Sequence, residues 1–222
     1  MATLRAVILG NGEPPSLALL QQVLVGADLL LAADGGANTA VRAGRTPDYV
    51  VGDLDSVRAA VLARIEVARQ VRVDADDTGT DLQKALRLAL QLGVGQADLL
   101  GFTGRRLDHT LWNVSLLRPW SRHLALRLLD DYTETRLIDR HIRFAAVPGQ
   151  RLSLCPVAGP ARRIRTSGLR FALADEDLVP GERDGISNEV TAEVVEISVA
   201  EGELLLVVQR EGAPGLVTWL AP

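Results

Sequence analysis

Six short apolar runs, at residues 6–9, 29–33, 49–51, 71–73, 99–102 and 124–129, recur through the first 130 residues with helix-like stretches between them. Runs this short, spaced this way, predict parallel strands joined by crossover helices. In an open parallel sheet the carboxyl ends of the strands meet at one crevice. The residues just after each run are therefore the ones to read for chemistry. In this chain they are rich in aspartate: Ala33-Asp34-Gly35-Gly36, Gly52-Asp53-Leu54-Asp55-Ser56, Thr80-Asp81 and Arg106-Leu107-Asp108-His109.

The helical segments carry their own punctuation. Ser16 is placed to cap a helix bearing Leu17, Leu20 and Leu24, and Gly44 and Gly93 stand where helices should end. Thr80 with Gln83 three residues on forms a capping-box pattern, followed by Leu82, Ala85, Leu86, Ala89 and Leu90 on one face, so Asp81 falls in the first turn. After Asp130-Asp131 the character changes to β-branched residues and short alternations. Strands are expected at 151–154 and 203–208, with turns at Pro148-Gly149, Pro180-Gly181, Asp184-Gly185 and Pro214-Gly215. The expected fold is α/β: a mostly parallel, Rossmann-like sheet flanked by helices over 1–132, then an all-β sandwich or barrel over 133–222.

Composition narrows the function. A length of 222 residues with 47% apolar side chains supports a buried core, and a net charge of −4 argues against nucleic acid as a partner. Lys84 is the only lysine and no Gly-x-x-x-x-Gly-Lys loop exists, so phosphate contacts are expected from arginine, backbone amides or metal. Cys155 is the only cysteine, which excludes an intrachain disulfide or a thiolate zinc cage and suits the cytoplasm; it reads as a small core hydrophobe. No run approaches the ~20 apolar residues of a membrane span.

Convergent carboxylates imply a bound cation or proton, because two of them about 4 Å apart repel by roughly 4 kcal/mol at an effective dielectric near 20. Asp53 and Asp55, one residue apart at a strand end, can face one ion if the backbone turns there, and hard oxygen ligands suit Mg²⁺ completed by substrate phosphates. A lone Asp34 before two glycines reads first as a helix cap in a tight turn, and Asp76 and Asp77 as acids complementing a helix dipole. The glycines and arginines of 101–109, between a strand and a helix, could cradle an anion. His109 reads first as a structural hydrogen-bonding residue, and His123 and His141 as surface residues.

Taken together, Ala33-Asp34-Gly35-Gly36-Ala37-Asn38, Gly52-Asp53-Leu54-Asp55-Ser56, Thr80-Asp81, Gly104-Arg105-Arg106-Leu107-Asp108-His109 with Asn113, and Ser187-Asn188 resemble the thiamine pyrophosphokinase family over nearly the whole chain. The resemblance implies transfer of a pyrophosphoryl group from ATP to the hydroxyl of thiamine, giving thiamine diphosphate and AMP with Mg²⁺. It implies that Asp53, Asp55 and Asp81 handle metal and phosphates, that Asp34 and Asn38 line the nucleotide side, and that Arg106, Asp108 and His109 complete the pocket. Ser187 and Asn188 would contact thiamine, Trp219 would stack on it, and the protein would be a homodimer with a shared active site. A cluster carboxylate would take the hydroxyl proton, Asp108 ahead of Asp81. Two positions depart from the family pattern: Asp-x-Thr-Asp is Thr78-Gly79-Thr80-Asp81 here, with Asp77 displaced by one, and Gly-Gly-Arg is Gly104-Arg105-Arg106. The rival readings are a metal-dependent phosphohydrolase and a nucleotide-binding module without turnover.

Overall fold

The computed structural model describes residues 3–73, 79–210 and 216–220. The chain divides into two compact units, Met1–Asp131 and Tyr132–Pro222.

The first unit holds β1 (Leu4–Leu9), β2 (Leu29–Ala33), β3 (Tyr49–Gly52), β4 (Gln70–Arg72), β5 (Val94–Leu100) and β6 (Ala125–Leu129). They pair in parallel in the order β6-β5-β1-β2-β3-β4. The chain lays β1 to β4 outward on one side, then returns past β1 to place β5 and β6 on the other. The order therefore reverses between β1 and β5, which opens a crevice at their carboxyl ends. The connecting helices are α1 (Leu17–Leu24), α2 (Gly36–Arg42), α3 (Ala59–Leu62), α4 (Asp81–Gln91) and α5 (Leu107–Trp120). Ser16 Oγ accepts from the Leu19 N–H at 3.2 Å to start α1, and Gln83 Oε1 accepts from the Thr80 N–H at 2.9 Å at the start of α4. Gly44 and Gly93 take φ of +77° and +79°, the left-handed region glycine enters without penalty.

Two local readings need correction. The fifth strand begins at Val94 and stops at Leu100, where the run 99–102 was expected. Asp98 hides its first half by breaking the apolar run, although it is fully buried. Its carboxylate accepts from Arg127 Nε and Nη2 at 2.5 and 2.7 Å and from Arg5 Nη2 at 2.7 Å, and Gly101, at φ +73°, turns the chain out of the strand. On α4, Leu90 is 38% exposed, while Lys84 and Leu88 are buried.

The second unit is all β in its described residues. One antiparallel sheet runs β12 (Gly185–Glu189), β9 (Arg151–Cys155), β14 (Leu204–Gln209), β7 (Thr133–Ile138). The other runs β11 (Ala174–Leu178), β10 (Ala161–Ser167), β13 (Val194–Ser198), β8 (His141–Ala145), β15 (Thr218–Leu220). Side chains of both sheets, among them Phe144, Leu152, Leu154, Ile164, Ile197 and Leu206, share one core, so the unit is a sandwich. Cys155 is only partly buried at the end of β9; burial, then Asp184, pushes its thiol upward, away from thiolate chemistry. The turn expected at Pro214-Gly215, like Asp76, Asp77 and Thr78, lies outside the described residues. Among the described residues, no helix is long and apolar enough to cross a membrane.

Candidate active site

A cavity of about 670 Å³ lies in the first unit, walled by the segments that follow β1 to β5. Gly10, Asn11 and Gly12 come from the end of β1, Asp34 from β2, Asp53 and Asp55 from β3, Thr80, Asp81 and Lys84 from the start of α4, and Gly101, Phe102, Gly104, Arg105 and Arg106 from beyond β5. Close backbone approach forces the glycines: a Cβ on Gly36 would lie 2.0 Å from the Leu9 carbonyl oxygen. Asp34, just after β2, lines this cavity.

Three of the non-glycine residues with positive φ sit in these loops, namely Asp34 at +44°, Leu54 at +65° and Arg105 at +53°. Such conformations persist where surrounding structure imposes them, and they concentrate at functional sites. Leu54 shows what imposes one. Its side chain is 5% exposed and packs with Ala32, Val50, Val57, Val61 and Ile65. With Leu54 buried below, Asp53 and Asp55 lie on either side of it in the loop and both line the cavity. The Asp55 N–H also donates to Asp53 Oδ1 at 3.3 Å, and Ser56 Oγ donates to Asp55 Oδ1 at 2.9 Å. Asn38 braces the loop from α2: its amide donates to the Ser56 carbonyl at 2.8 Å and accepts from the Arg58 N–H at 3.0 Å.

Carboxylate oxygens of Asp34, Asp53 and Asp55 lie within 4.8 Å of one another. Asp34 is 4% exposed, and its Oδ1 is buried without a hydrogen-bond partner; α2 takes no side-chain cap from it. An unsatisfied carboxylate oxygen beside two more carboxylates is the donor set a hard divalent cation completes. Asp81 stands at the same wall. Burial and then Asp34 push its carboxyl upward, Lys84 opposes, and Asp53 and Asp55 add to the rise. Lys84 Nζ is 3.9 Å from Asp81 Oδ1.

Arg106 and His109 line the cavity, while Asp108 is not in its wall. The Asp108 carboxylate accepts from Arg106 Nε and Nη2 at 3.1 and 2.5 Å, and this pairing holds its carboxyl down at about 2. Arg105 takes a glycine-like backbone angle at the position where the family pattern has glycine; its Nη1 donates to the Asn11 carbonyl at 3.1 Å.

In the second unit, Ser187 is exposed at φ +60° and its N–H donates to Ser153 Oγ at 3.1 Å. The Asn188 amide is committed to backbone: Oδ1 accepts from the Phe171 and Glu189 N–H groups at 3.0 and 2.9 Å, and Nδ2 donates to the Phe171 carbonyl at 2.8 Å. Trp219 lies 5.3 Å from Phe144 between ring centroids, with the Arg136 guanidinium 3.8 Å over its ring. Its Nε1 donates to Glu134 Oε1 at 3.1 Å.

Sequence reasoning passed over Lys84 and the Gly10-Asn11-Gly12 turn. The second had a signal, since Gly-x-Gly directly after an apolar run marks close backbone approach at a strand end.

A glycine-walled acidic pocket at the switch point of a parallel sheet, on a chain that continues into a β-sandwich, defines an α/β protein that takes its ligand at the carboxyl ends of the strands. The family model "Thiamin pyrophosphokinase, catalytic domain" matches residues 20–128, and "Thiamin pyrophosphokinase, vitamin B1 binding domain" matches residues 139–204. Thiamine pyrophosphokinase of Bacillus subtilis is 27% identical over 191 residues, covering 81% of this chain and 86% of its own. Thiamine pyrophosphokinase 1 of Oryza sativa is 28% identical over 200 residues, covering 78% and 75%. The crystal structure of the Bacillus subtilis enzyme superposes with a TM-score of 0.78 at 25% identity, covering 92% of this chain and 98% of that one. That of Candida albicans shares the fold at TM-score 0.81 and 14% identity, covering 93% and 89%. The chain belongs to the thiamine pyrophosphokinase family.

Proposed function

We propose that the protein transfers a pyrophosphoryl group from ATP to the hydroxyl of thiamine, releasing thiamine diphosphate and AMP. The observation that carries this reading is the pocket itself, in which Asp34, Asp53 and Asp55 converge and a buried Asp34 oxygen lacks a partner. Mg²⁺ fits that donor set, held by these three residues with Asp81 beside them. When bound it would neutralise phosphate charge.

The remaining work falls to the chain. Phosphoryl-type transfer asks mainly for positioning and charge neutralisation. The glycine turns after β1 and β5 pack backbone against backbone at the cavity wall, and Arg106 and His109 line the same cavity as candidates to meet the phosphate chain. The attacking alcohol must lose a proton to a group within about 3 Å. Asp81 is better placed for this than Asp108, because it lines the pocket and its carboxyl is raised, whereas Asp108 is outside the wall and held by Arg106. Ser187, Asn188 and Trp219 of the β unit are proposed to receive thiamine. Since the Asn188 amide is committed to Phe171 and Glu189, its contribution is to shape the strand that presents Ser187. A cytoplasmic homodimer with shared active sites completes the reading.

The test is an assay of thiamine diphosphate and AMP from thiamine, ATP and MgCl₂, with thiamine or metal omitted in parallel. Both products form only in the complete mixture. Phosphate release without thiamine would make the protein a hydrolase, and ATP binding with no AMP would make it a binding module.

A further inference from the structure

Lys84 is the only lysine in the chain, and it sits in the wall of the acidic cavity with 5% exposure. A buried ammonium is costly unless paired. Its acidic neighbour among the described residues, Asp81 Oδ1, is 3.9 Å away, beyond hydrogen-bond length. The arginines of the wall differ in burial and in hydrogen bonding. Arg105 and Arg106 are 53% and 68% exposed; Arg106 is held by Asp108, and Arg105, whose Glu13 carboxylate is likewise 3.9 Å away, donates to the Asn11 carbonyl at 3.1 Å. Lys84 is thus a compact point charge with donors to spare, facing the space the carboxylates surround. Four acids repel a phosphate chain that one buried ammonium would attract.

We infer that Lys84 is a catalytic residue whose ammonium hydrogen-bonds a non-bridging oxygen of the transferred β,γ-phosphates of ATP. This deepens the reading above and rests on it. In the step, the thiamine oxygen forms a bond to Pβ while the bond from Pβ to the α,β-bridging oxygen breaks. AMP leaves with the electron pair, the hydroxyl proton passes to a pocket carboxylate, and Lys84 neutralises charge throughout without exchanging its own proton. A residue that only balanced Asp81 would act on the fold and be indifferent to the ligand's phosphate number.

The experiment compares the wild-type chain with Lys84→Met and Lys84→Arg in MgCl₂, measuring kcat, both KM values, melting temperature, and ATP and AMP affinity without thiamine. Lys84→Met should lower kcat/KM for ATP by about 10²-fold. It should also weaken ATP binding at least about tenfold while AMP affinity and the KM for thiamine stay within about twofold. Lys84→Arg, which keeps the charge, should recover part of the loss. An ATP-to-AMP affinity ratio unchanged in a folded Lys84→Met chain overturns the inference. If that variant does not fold, acylation of the single lysine in the unaltered chain decides: ATP with MgCl₂ must slow it and AMP must not, and equal protection by both overturns the inference. A wild-type chain that makes no thiamine diphosphate removes the functional reading instead, whatever Lys84 does.

Discussion

Replacing Leu54 separates two forces that act on one residue. Its side chain is 5% exposed in a cluster whose outer members Val57 and Val61 are each 8% exposed, so the site is near the surface and able to collapse partly. Leu54→Ala should therefore cost about 2–3 kcal/mol, the low end of buried leucine truncations, and lower the melting temperature by roughly 4–12 °C for a chain of this size. Leu54→Gly removes that packing and the single Cβ methyl as well, but it also relieves the +65° backbone angle. Left-handed geometry costs a non-glycine residue about 1–2 kcal/mol, and glycine's extra unfolded-state entropy returns about 0.5–1 kcal/mol of that. Glycine should thus be the more stable variant by about 0.5–1 kcal/mol, the reverse of the usual order. Both variants should lose about tenfold or more in AMP formation, because Asp53 and Asp55 are no longer pinned, and misplacement of about 1 Å can cost 10²-fold. Urea titration of the two variants measures the difference. If Leu54→Ala is the more stable, or if neither departs from wild type by 0.5 kcal/mol, the pinning account is wrong.

Asp34→Asn, Asp53→Asn and Asp55→Asn should each reduce AMP formation at least about 10²-fold while raising the metal-free melting temperature, since each removes one of three carboxylates lying within 4.8 Å; scanning calorimetry with the transfer assay checks both signs. Asp108→Asn should keep most of the activity near neutral pH. The depressed Asp108 carboxyl contributes stability present above its unfolded value near 3.8 and lost as pH falls through about 2, so acid titration should show the wild-type chain losing its advantage over Asp108→Asn across that window. Asp98→Asn should destabilise by about 3–5 kcal/mol in denaturant, because it leaves Arg127 buried opposite a neutral partner. Pairing it with Arg127→Met should recover part of that loss.

The strands of the first unit were legible where burial is apolar on both faces. Residues 29–33 match β2 residue for residue, because nothing polar interrupts them. β5 was half hidden for the opposite reason: Asp98 is charged yet fully buried, and its partners Arg5 and Arg127 come from β1 and β6, a pairing no local pattern announces. In the site, Asp53 and Asp55 could be read as a pair from their one-residue spacing. That Asp34 joins them while Asp81 stands against Lys84 depends on how β2, β3 and α4 align, which spacing along the chain does not encode. As a single lysine outside any phosphate loop, Lys84 carries no motif in the sequence; its burial in the cavity wall is what gives it weight.

That same scarcity makes α4 a built-in probe of local opening. A lysine-specific protease has one peptide bond to attack in the whole chain, Lys84–Ala85, and Ala85 is fully buried in the helix. Cleavage must wait until α4 lifts from the sheet. Where reclosing is faster than cutting, the rate of appearance of the two fragments reports the free energy of that opening, each tenfold slowing being worth about 1.4 kcal/mol. Nucleotide and metal added in turn would then rank themselves by how firmly they hold this one helix shut.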